Sequence, residues 1–344
     1  MQLARSIAFS VCALAGAASL ANAQQAAAPQ PVPRGIVNIT GQLYRAQNNN
    51  HYTVFLVTPE GIIMSDPINR DFGRWLKAEL ATRFKVPVRY VVYTHRDWDH
   101  ASGGIVFADT AEFVGHRNML AGLAAPEGNP PLPADAAKID VNRNGLIERS
   151  EASGAYADRF MQFDYNRDEF ISGAEVARGS LSDVYPPTIT YTDRHTVKLG
   201  GKSVNIIPLG IAHTDDSVVL HFPDERAIFS ADVLQVKRLP LGIAPSVGAY
   251  IDALKTINAI DYDHALTGHA LAGTKKDALE SQRYLEDLAN GVASGIAAGR
   301  SLADIQKTLT LDAYKGFERW DTARPAHIAF VYRTIKGNLG ESGK

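Results

Sequence analysis

The pattern of apolar and polar positions divides the chain into two β-rich blocks, with a polar stretch between them and a helical tail at the end. In the first block, residues 51–66 read HYTVFLVTPEGIIMSD, two β-rich runs around a Pro-Glu-Gly turn, which predicts a hairpin. Residues 72–84 have helical spacing, and residues 86–94 form an apolar run that predicts a buried strand. The side chains after this strand stand where α/β proteins place their chemistry, at the carboxyl ends of strands.

The second β-rich block begins near residue 186 and ends with a strand-like run, HALTGHA, at residues 264–270. Residues 275–336 are mostly helical in pattern. Between the blocks, the Pro-rich residues 124–135 open a stretch of different composition. The pattern therefore predicts a first part at residues 36–123, an insert at residues 124–185, and a second part at residues 186–344.

The first 23 residues have the features of a secretory signal peptide. One Arg precedes a short apolar core, and the small residues ANA at 21–23 match a cleavage site. The Ala-, Gln- and Pro-rich residues 24–35 predict a disordered lead-in. We expect a periplasmic or secreted protein. Because the only cysteine, Cys12, lies within the signal peptide, a metal site in the mature chain must use His and carboxylate ligands.

Composition narrows the class of function. Of the 344 residues, 45% are hydrophobic and 21% are charged, which is typical of a globular protein. The formal net charge is −2, so we expect no nucleic-acid partner. The apolar core of the signal peptide is too short to span a membrane. We expect a small-molecule substrate, and the sequence leaves the oligomeric state open.

Four potential metal ligands follow the strand predicted at residues 86–94. The stretch THRDWDH contains His95, Asp97, Asp99 and His100, and the first three share one face if the backbone is extended. Imidazole and carboxylate groups together favour Zn, Fe or Mn. Three later strand ends carry matching groups, which are His213, Asp232 and His269.

At these positions the chain resembles the metallo-β-lactamase superfamily. The family motif Thr-His-x-His-x-Asp-His reads THRDWDH at residues 94–100, and later landmarks match GIAHT at 210–214, FSAD at 229–232 and GH at 268–269. Asp66, at the end of the first hairpin, matches the structural Asp of the family. The resemblance implies an α/β fold, a four-layer αββα sandwich with the metals at one edge.

The resemblance also implies two metal centres, with zinc as the first candidate and iron or manganese as alternatives. The implied ligands are His95, Asp97 and His213 in one centre, Asp99, His100 and His269 in the other, and Asp232 as the bridge. A hydroxide held between the metals is the nucleophile that the family implies. Asp99 is the candidate catalytic proton shuttle.

Asp97 departs from the family, which usually has His at this place. With two divalent metals and a bridging hydroxide, a carboxylate at this position makes the site formally neutral, whereas His would leave it one unit positive. We expect a weaker electrophile and a preference for harder metals. The alternative is that Asp97 is no ligand, which would leave one metal weakly held.

The insert contains two loops that fit the EF-hand calcium motif, with a 12-residue span each. The ligands predicted in loop 1 are Asp140, Asn142, Asn144, Leu146 and Glu151. The ligands predicted in loop 2 are Asp164, Asn166, Asp168, Phe170 and Glu175. Loop 2 has Glu169 where the motif has Gly, so we expect weaker calcium binding there. We predict one helix over residues 152–163, a contact between Ile147 and Ile171, and a structural clamp rather than a signalling switch.

The leading interpretation is an exported metal-dependent hydrolase that acts on an ester, lactone, thioester or lactam bond, and sulfate esters also fall within the range of the fold. Two alternatives stay open, a di-iron redox or oxygen-handling protein and a non-catalytic calcium-dependent binding protein. Lys237 and Arg238 are either anchors for a substrate anion or solvated surface charges. We expect structural roles for the remaining histidines, which are His51, His116, His195, His221, His264 and His327.

Overall fold

In the computed structural model, which describes residues 33–341 except 125 and 244, the β-rich runs form two sheets that pack face to face. The first four strands of the larger sheet are antiparallel, and the remaining three continue it in parallel. In spatial order this sheet contains β1 (Arg34–Thr40), β2 (Leu43–Asn48), β3 (His51–Thr58), β4 (Gly61–Met64), β5 (Val88–Val92), β6 (Glu112–His116) and, after the insert, β9 (Ile189–Tyr191).

Six strands of the described residues form the second sheet, which is antiparallel except for one parallel pair. Its strands are β10 (His195–Leu199), β11 (Lys202–Pro208), β12 (Val218–Phe222), β13 (Ala227–Ser230), β14 (His264–Thr267) and β15 (Gly273–Thr274). The inner faces of both sheets share one apolar core, in which Leu56 and Val92 of the first sheet join Leu220 and Phe229 of the second. Burial of these faces is what holds the two sheets together.

Helices cover the outer face of each sheet. On the first sheet, α1 (Arg70–Phe84) buries Phe72 and Leu76 and begins at Asn69, whose side chain accepts a hydrogen bond from the Phe72 amide. The helices that cover the second sheet or complete its outer layer are α7 (Val247–Asn258), α8 (Lys275–Ala297), α9 (Leu302–Thr308) and α10 (Trp320–Glu341). The result is an αββα arrangement, so the predicted fold class is confirmed.

Several sequence-based predictions of elements are confirmed. The hairpin predicted over residues 51–66 is β3 and β4, and the strand predicted over 86–94 is β5. The tail is helical in α8, α9 and α10. Two short helices follow β5 and β6, namely α2 (Trp98–Ala101) and α3 (Arg117–Leu123). Short 3-10 turns cover Gly104–Phe107, Ala136–Lys138 and Asp312–Tyr314.

The insert has its own small core around a two-stranded ribbon, β7 (Ile147–Glu148) and β8 (Phe170–Ile171). Ile147 pairs directly with Ile171, as predicted. The prediction of one helix over residues 152–163 is wrong. The segment forms α4 (Ala155–Asp158) and α5 (Phe160–Phe163), because Arg159 between them leaves the helical region with φ −126°. A third helix, α6 (Gly173–Arg178), follows the second loop.

The predicted N-terminal boundary needs one correction. Strand β1 begins at Arg34 and pairs with β2, so the last two residues of the lead-in predicted over 24–35 belong to the sheet. The rest of that lead-in and the predicted signal peptide lie outside the described residues. Within the described part of the chain, no helix combines the length and the apolar character needed to cross a membrane.

Candidate metal centre

The metal-ligand loop starts where two parallel strands end. Strands β4 and β5 run side by side, so Asp66 and Thr94 emerge at the same edge of the sheet. The buried Asp66 carboxylate accepts hydrogen bonds from the Thr94 amide at 2.8 Å and the Thr94 hydroxyl at 2.6 Å. Burial raises the pKa of Asp66, against the opposing effect of His100 and His95. Asp66 therefore has the structural role that the resemblance implies.

The backbone of the loop turns at Asp97 rather than staying extended. The Asp97 carbonyl accepts hydrogen bonds from the amides of His100 and Ala101, at 3.0 and 2.8 Å, and thereby opens the short helix α2. The condition under which His95, Asp97 and Asp99 would share one face, an extended backbone, is therefore not met. The turn sends Asp97 and Asp99 to different clusters.

The first cluster contains His95, Asp97, His213 and Asp232. His213 Nε2 lies 3.1 Å from Asp97 Oδ2 and 3.2 Å from Asp232 Oδ2. His95 Nε2 lies 3.6 Å from Asp97 Oδ2 and 3.9 Å from Asp232 Oδ2. One atom from each of the four side chains falls within 4.8 Å of the others, which is the spacing of ligands around one ion.

The second cluster is built on the other oxygen of Asp232. His100 Nε2 and His269 Nε2 lie 3.1 and 3.2 Å from Asp232 Oδ1, and 2.9 Å from each other. Asp99 Oδ2 lies 3.5 Å from His269 Nε2. The structure thus brings together all seven residues predicted as transition-metal ligands, and Asp232 presents one oxygen to each cluster.

His51 is a cleft residue that the sequence analysis placed among the structural histidines. Its Nε2 lies 3.2 Å from Asp99 Oδ2, and its ring packs against His269 with centroids 4.5 Å apart. The hairpin pattern in the sequence could have indicated this position. Because β3 is antiparallel to β4, the first residue of β3 lies at the same edge as the end of β4.

The backbone of His213 adopts an unfavourable conformation. Its φ of 68° lies in the left-handed region that residues other than glycine rarely adopt. The loop is closed by a hydrogen bond from the Thr214 amide to the Ala212 carbonyl at 2.9 Å. Such strain is typical of sites where a side chain must point in one direction.

The carboxylates and imidazoles of the two clusters shift each other's pKa values. Burial alone would raise the pKa values of Asp97, Asp99 and Asp232, but the neighbouring imidazoles hold all three well below their usual range. Burial lowers the pKa of His100 and His213, yet contact with Asp232 outweighs it and raises them to about 9 and about 10. Protons on these rings therefore balance the carboxylates, and divalent cations can take their place.

The donor atoms fit divalent metals. His95 Nε2 is buried and has no hydrogen-bond partner among the described residues. The buried Asp232 Oδ1 lies close to the rings of His100 and His269 but forms no hydrogen bond of normal geometry with them. Buried polar atoms without hydrogen bonds are costly, and a divalent cation held among these imidazoles and carboxylates would satisfy both atoms. The set of nitrogen and carboxylate oxygen donors suits zinc, and it also suits iron or manganese.

Around the clusters lies a cleft of about 480 Å³, hereafter the metal cleft. Besides the ligands it is lined by Trp98, Leu241, Tyr250 and Arg319. Leu241 is 80% exposed and Trp98 is 37% exposed, so the rim offers apolar surface to an incoming molecule. Burial and the neighbouring Arg238 lower the pKa of Arg319, which makes no ion pair with an acidic side chain of the described residues.

Lys237 is an exposed surface charge, whereas Arg238 is neither solvated nor free to anchor an anion. Arg238 is buried, and it donates a hydrogen bond to the His269 carbonyl. Lys237 pairs with Glu280 and lies 3.7 Å from Asp277. Arg238 therefore positions the last metal-ligand loop, together with Arg45, which donates to the Thr267 carbonyl at 2.9 Å.

The remaining histidines lie outside the clusters. His116 accepts a hydrogen bond from the Asn118 amide and caps α3, and the buried His327 lies 2.9 Å from the Tyr284 hydroxyl. His221 and His264 stand on strands β12 and β14, and His195 stacks on Tyr191. These positions agree with the structural roles expected for them.

Comparison with known proteins identifies the family. The family model described as the metallo-beta-lactamase superfamily matches residues 72–269, which is more than half of the chain. The chain belongs to this superfamily. Among its solved structures, a metallo-beta-lactamase from Pontibacter korlensis is 15% identical with a TM-score of 0.50, covering 74% of this chain and 99% of that one.

Two alkylsulfatases also match. The stereoselective inverting sec-alkylsulfatase Pisa1 from Pseudomonas sp. is 12% identical with a TM-score of 0.58, covering 88% of this chain and 50% of that one. A linear primary-alkylsulfatase from Pseudomonas sp. is 26% identical over 183 residues, 53% of this chain and 33% of that protein. The chain therefore spans about a third of the length of this curated relative.

Membership in the metallo-beta-lactamase superfamily gives the clusters a chemical context. The superfamily is mostly hydrolytic and typically binds two zinc ions, and this chain has His/Asp groups that are able to hold metals.

Proposed function

We propose that the protein is a hydrolase whose active site holds two divalent metals, zinc in the first place. The observation that carries this proposal is the position of Asp232, which presents Oδ2 to the first cluster and Oδ1 to the second. His95, Asp97 and His213 would hold one metal with Asp232, and Asp99, His100 and His269 would hold the other. When bound, such metals activate water at neutral pH and polarise the bond to be broken.

The residues of the chain supply orientation and proton transfer. Asp99 Oδ2 lies 3.2 Å from His51 Nε2, so a proton accepted by Asp99 has a route to the imidazole and from there to the open cleft. Asp66 and Arg238 fix two of the segments that carry the ligands, the loop after Thr94 and the loop at His269. We assign Asp99 the role of proton shuttle, with His51 as its partner.

Two features of the metal cleft support an amphiphilic anionic ester as the substrate. Arg319 offers a cation that lacks an acidic partner among the described residues, and Leu241 and Trp98 offer apolar surface at the rim. Two relatives are named as alkylsulfatases. We propose a sulfate ester of an alkyl alcohol as the first substrate class to test, ahead of a lactone, thioester or lactam.

A substrate panel tests the proposal. Zinc-loaded protein is assayed with dodecyl sulfate, a neutral aryl ester, a lactone, a thioester and a β-lactam. We expect hydrolysis of the sulfate ester, lost in Asp232→Ala and retained in Asp224→Ala, whose carboxylate is exposed on the surface. Absence of turnover on the whole panel, with both metals bound, would contradict a hydrolase with these substrates.

One observation favours a second candidate. Asp97 joins the first cluster, and a carboxylate there shifts the preference toward harder metals. A di-iron redox or oxygen-handling protein would then be the function. Aerobic expression in iron-supplemented medium followed by a visible absorption spectrum separates this candidate from a zinc hydrolase.

We also propose that the two acidic loops of the insert bind calcium. In loop 1, Glu151 Oε1 accepts hydrogen bonds from the amides of Val141 and Asn142, so the last predicted ligand folds back onto the start of the loop. In loop 2, Glu175 Oε1 likewise accepts from the Tyr165 amide. In both loops the last acidic residue therefore lies beside the start of the loop, which supports calcium binding there.

The two loops differ at their sixth position. Gly145 has φ 86° in loop 1, and Glu169 has φ 69° in loop 2. A side chain in this region costs on the order of 1 kcal/mol. We therefore propose that loop 2 is the weaker site. We also propose a structural role for calcium and, from the signal-peptide pattern of residues 1–23, a periplasmic or secreted protein. Calorimetric titration with calcium is the direct test, with two unequal sites as the expected result.

A further inference from the structure

A second cavity, of about 710 Å³, lies between the insert and the metal-ligand loop. We name it the insert cavity. Its chemically informative lining consists of Arg96, Trp98, Tyr156, Arg159, Phe163 and Arg178. Asp97 and Trp98 line both the insert cavity and the metal cleft, so these two residues form the wall between them. The proposed hydrolysis does not use the insert cavity.

Two of the three arginines bring unbalanced positive charge to this cavity. Arg96 is neutralised by ion pairs with Asp215 and Asp216. Arg159 and Arg178 make no ion pair with any acidic side chain of the described residues. Both donate hydrogen bonds to neutral acceptors. Arg159 donates to the Ser180 hydroxyl at 3.1 Å, and Arg178 donates to the Leu123 carbonyl at 2.9 Å. Each guanidinium has five N–H donors, so most of them remain available to a ligand.

Aromatic rings complete the insert cavity. The Arg159 guanidinium lies 4.5 Å from the Trp98 ring centroid and 5.7 Å from the Phe163 centroid. The Tyr156 and Phe163 rings pack with centroids 4.9 Å apart. Guanidinium groups recognise carboxylates, sulfates and sulfonates through paired hydrogen bonds, and aromatic faces favour flat apolar groups. The lining therefore matches a ligand that has both parts.

Gly122, which also lines the insert cavity, allows the Arg96 side chain to pack directly against the α3 backbone. A Cβ atom on Gly122, in α3, would lie 2.3 Å from Arg96 Cδ and 2.5 Å from Arg96 Nε. The Arg96 side chain thus runs directly across the α3 backbone toward Asp215 and Asp216. This arrangement keeps Arg96 occupied and leaves Arg159 and Arg178 as the free cations.

We propose that the insert cavity is a binding site for a small organic anion that carries a flat apolar group. Arg159 and Arg178 bind its carboxylate, sulfate or sulfonate, and Trp98, Tyr156 and Phe163 receive its apolar part. The site is built by the insert and the metal-ligand loop together. A binding measurement tests this proposal, and its result does not depend on whether the protein is a hydrolase.

The probe is naphthalene-2-sulfonate, titrated by calorimetry into zinc- and calcium-loaded protein, with naphthalene-2-sulfonamide as a neutral ligand of the same shape. We expect the sulfonate to bind at least tenfold more tightly than the sulfonamide. We expect the double variant Arg159→Ala/Arg178→Ala to lose at least tenfold in sulfonate affinity. Arg149→Ala is the matched control, because Arg149 also lies over an aromatic ring of the insert, Phe160, and is absent from the cavity lining.

Two further variants keep the test decisive. Arg159→Lys/Arg178→Lys preserves charge and should retain part of the affinity, which separates loss of binding from loss of folding. Arg319→Ala should leave the affinity unchanged, which excludes the metal cleft as the site. Sulfonate binding that is equally strong in the Arg159→Ala/Arg178→Ala variant, or lost in Arg319→Ala, would overturn the proposal.

The anion has two possible sources, the distal part of a substrate or a separate effector. Hydrolysis of a sulfate ester measured with and without naphthalene-2-sulfonate distinguishes them. A raised KM indicates that the cavity accepts part of the substrate, reached past Trp98. An unchanged KM in protein saturated with the sulfonate indicates a separate ligand.

Discussion

At the scale of single residues, the imidazoles of the clusters link metal binding to pH. Their pKa values, about 9 for His100 and about 10 for His213, lie above the ordinary value of about 6.5. Their protonation therefore stabilises the metal-free protein fully below about pH 6.5, and this contribution is lost as the pH rises through about 9 and 10. Metals must displace both protons.

We therefore predict that zinc loading at neutral pH releases one proton from each of these two rings. Calorimetry in two buffers with different protonation enthalpies measures the number released. His213→Ala should release about one proton fewer, whereas His264→Ala, on β14 outside the clusters, should match the unmodified protein. Zinc heats that do not depend on the buffer would contradict the assignment.

Arg319 is the residue that we expect to select anionic substrates. Arg319→Ala should raise KM for a sulfate ester by roughly tenfold to a hundredfold, the range of a lost charge-assisted hydrogen bond. The KM for a neutral ester should stay the same, and Arg319→Lys should restore part of the affinity. Steady-state kinetics on the matched pair of substrates decides this. Equal effects on both esters would point to a structural role instead.

The predictability of the site differs from residue to residue. The seven metal-ligand candidates lie in segments that follow apolar runs, and it was the family resemblance that implied their convergence, which the structure shows. His51 was missed because it begins a strand instead of ending one. Arg319 carries no local pattern at all, since only the packing of the helical tail brings it to the metal cleft.

At the scale of elements, the insert contains two short helices, α4 and α5, where the sequence predicted one. The predicted helix over residues 152–163 is interrupted at Arg159, which stacks on Trp98 of α2 and donates to Ser180. The spacing of apolar residues within 152–163 contains no information about contacts with other parts of the chain, so it could not predict this interruption. The turn at Asp97 has a different, local origin, since the amides of His100 and Ala101 donate to the Asp97 carbonyl and open α2.

Calcium removal should loosen the insert more than the sandwich. The small core around Ile147 and Ile171 depends on the two loops that flank it. A chelator should therefore speed proteolysis within residues 124–185 and leave the remaining fold protected. Glu151→Gln should mimic most of this effect and Glu175→Gln less of it. The exposed Glu127→Gln, outside both loops, is the control.

The unfavourable residue in loop 2 gives a gain-of-function test. Glu169→Gly removes a side chain at φ 69° and should tighten calcium binding by a factor of about five, equivalent to roughly 1 kcal/mol. Calorimetric titration of the weaker site measures the change. Unchanged or weaker calcium affinity would show that backbone strain at Glu169 does not limit this site.

At the scale of the whole molecule, the sandwich converts distant sequence positions into one site. Strands β4 and β5 end at one edge of the first sheet, and the parallel strands β13 and β14 end beside Asp232 and His269 in the second. The order of strands, and hence this convergence, followed from the family resemblance. Apolar patterns alone predict the strands but not which of them become neighbours.

The central claim is that two divalent metals share Asp232, and elemental analysis of protein purified without added metal tests it most directly. We expect two transition-metal ions per chain, together with calcium. In Asp232→Ala we expect the transition metals to fall to one or none while calcium is unchanged. A chain that takes up no transition metal after zinc dialysis, or an Asp232→Ala variant that still holds two, would contradict the account.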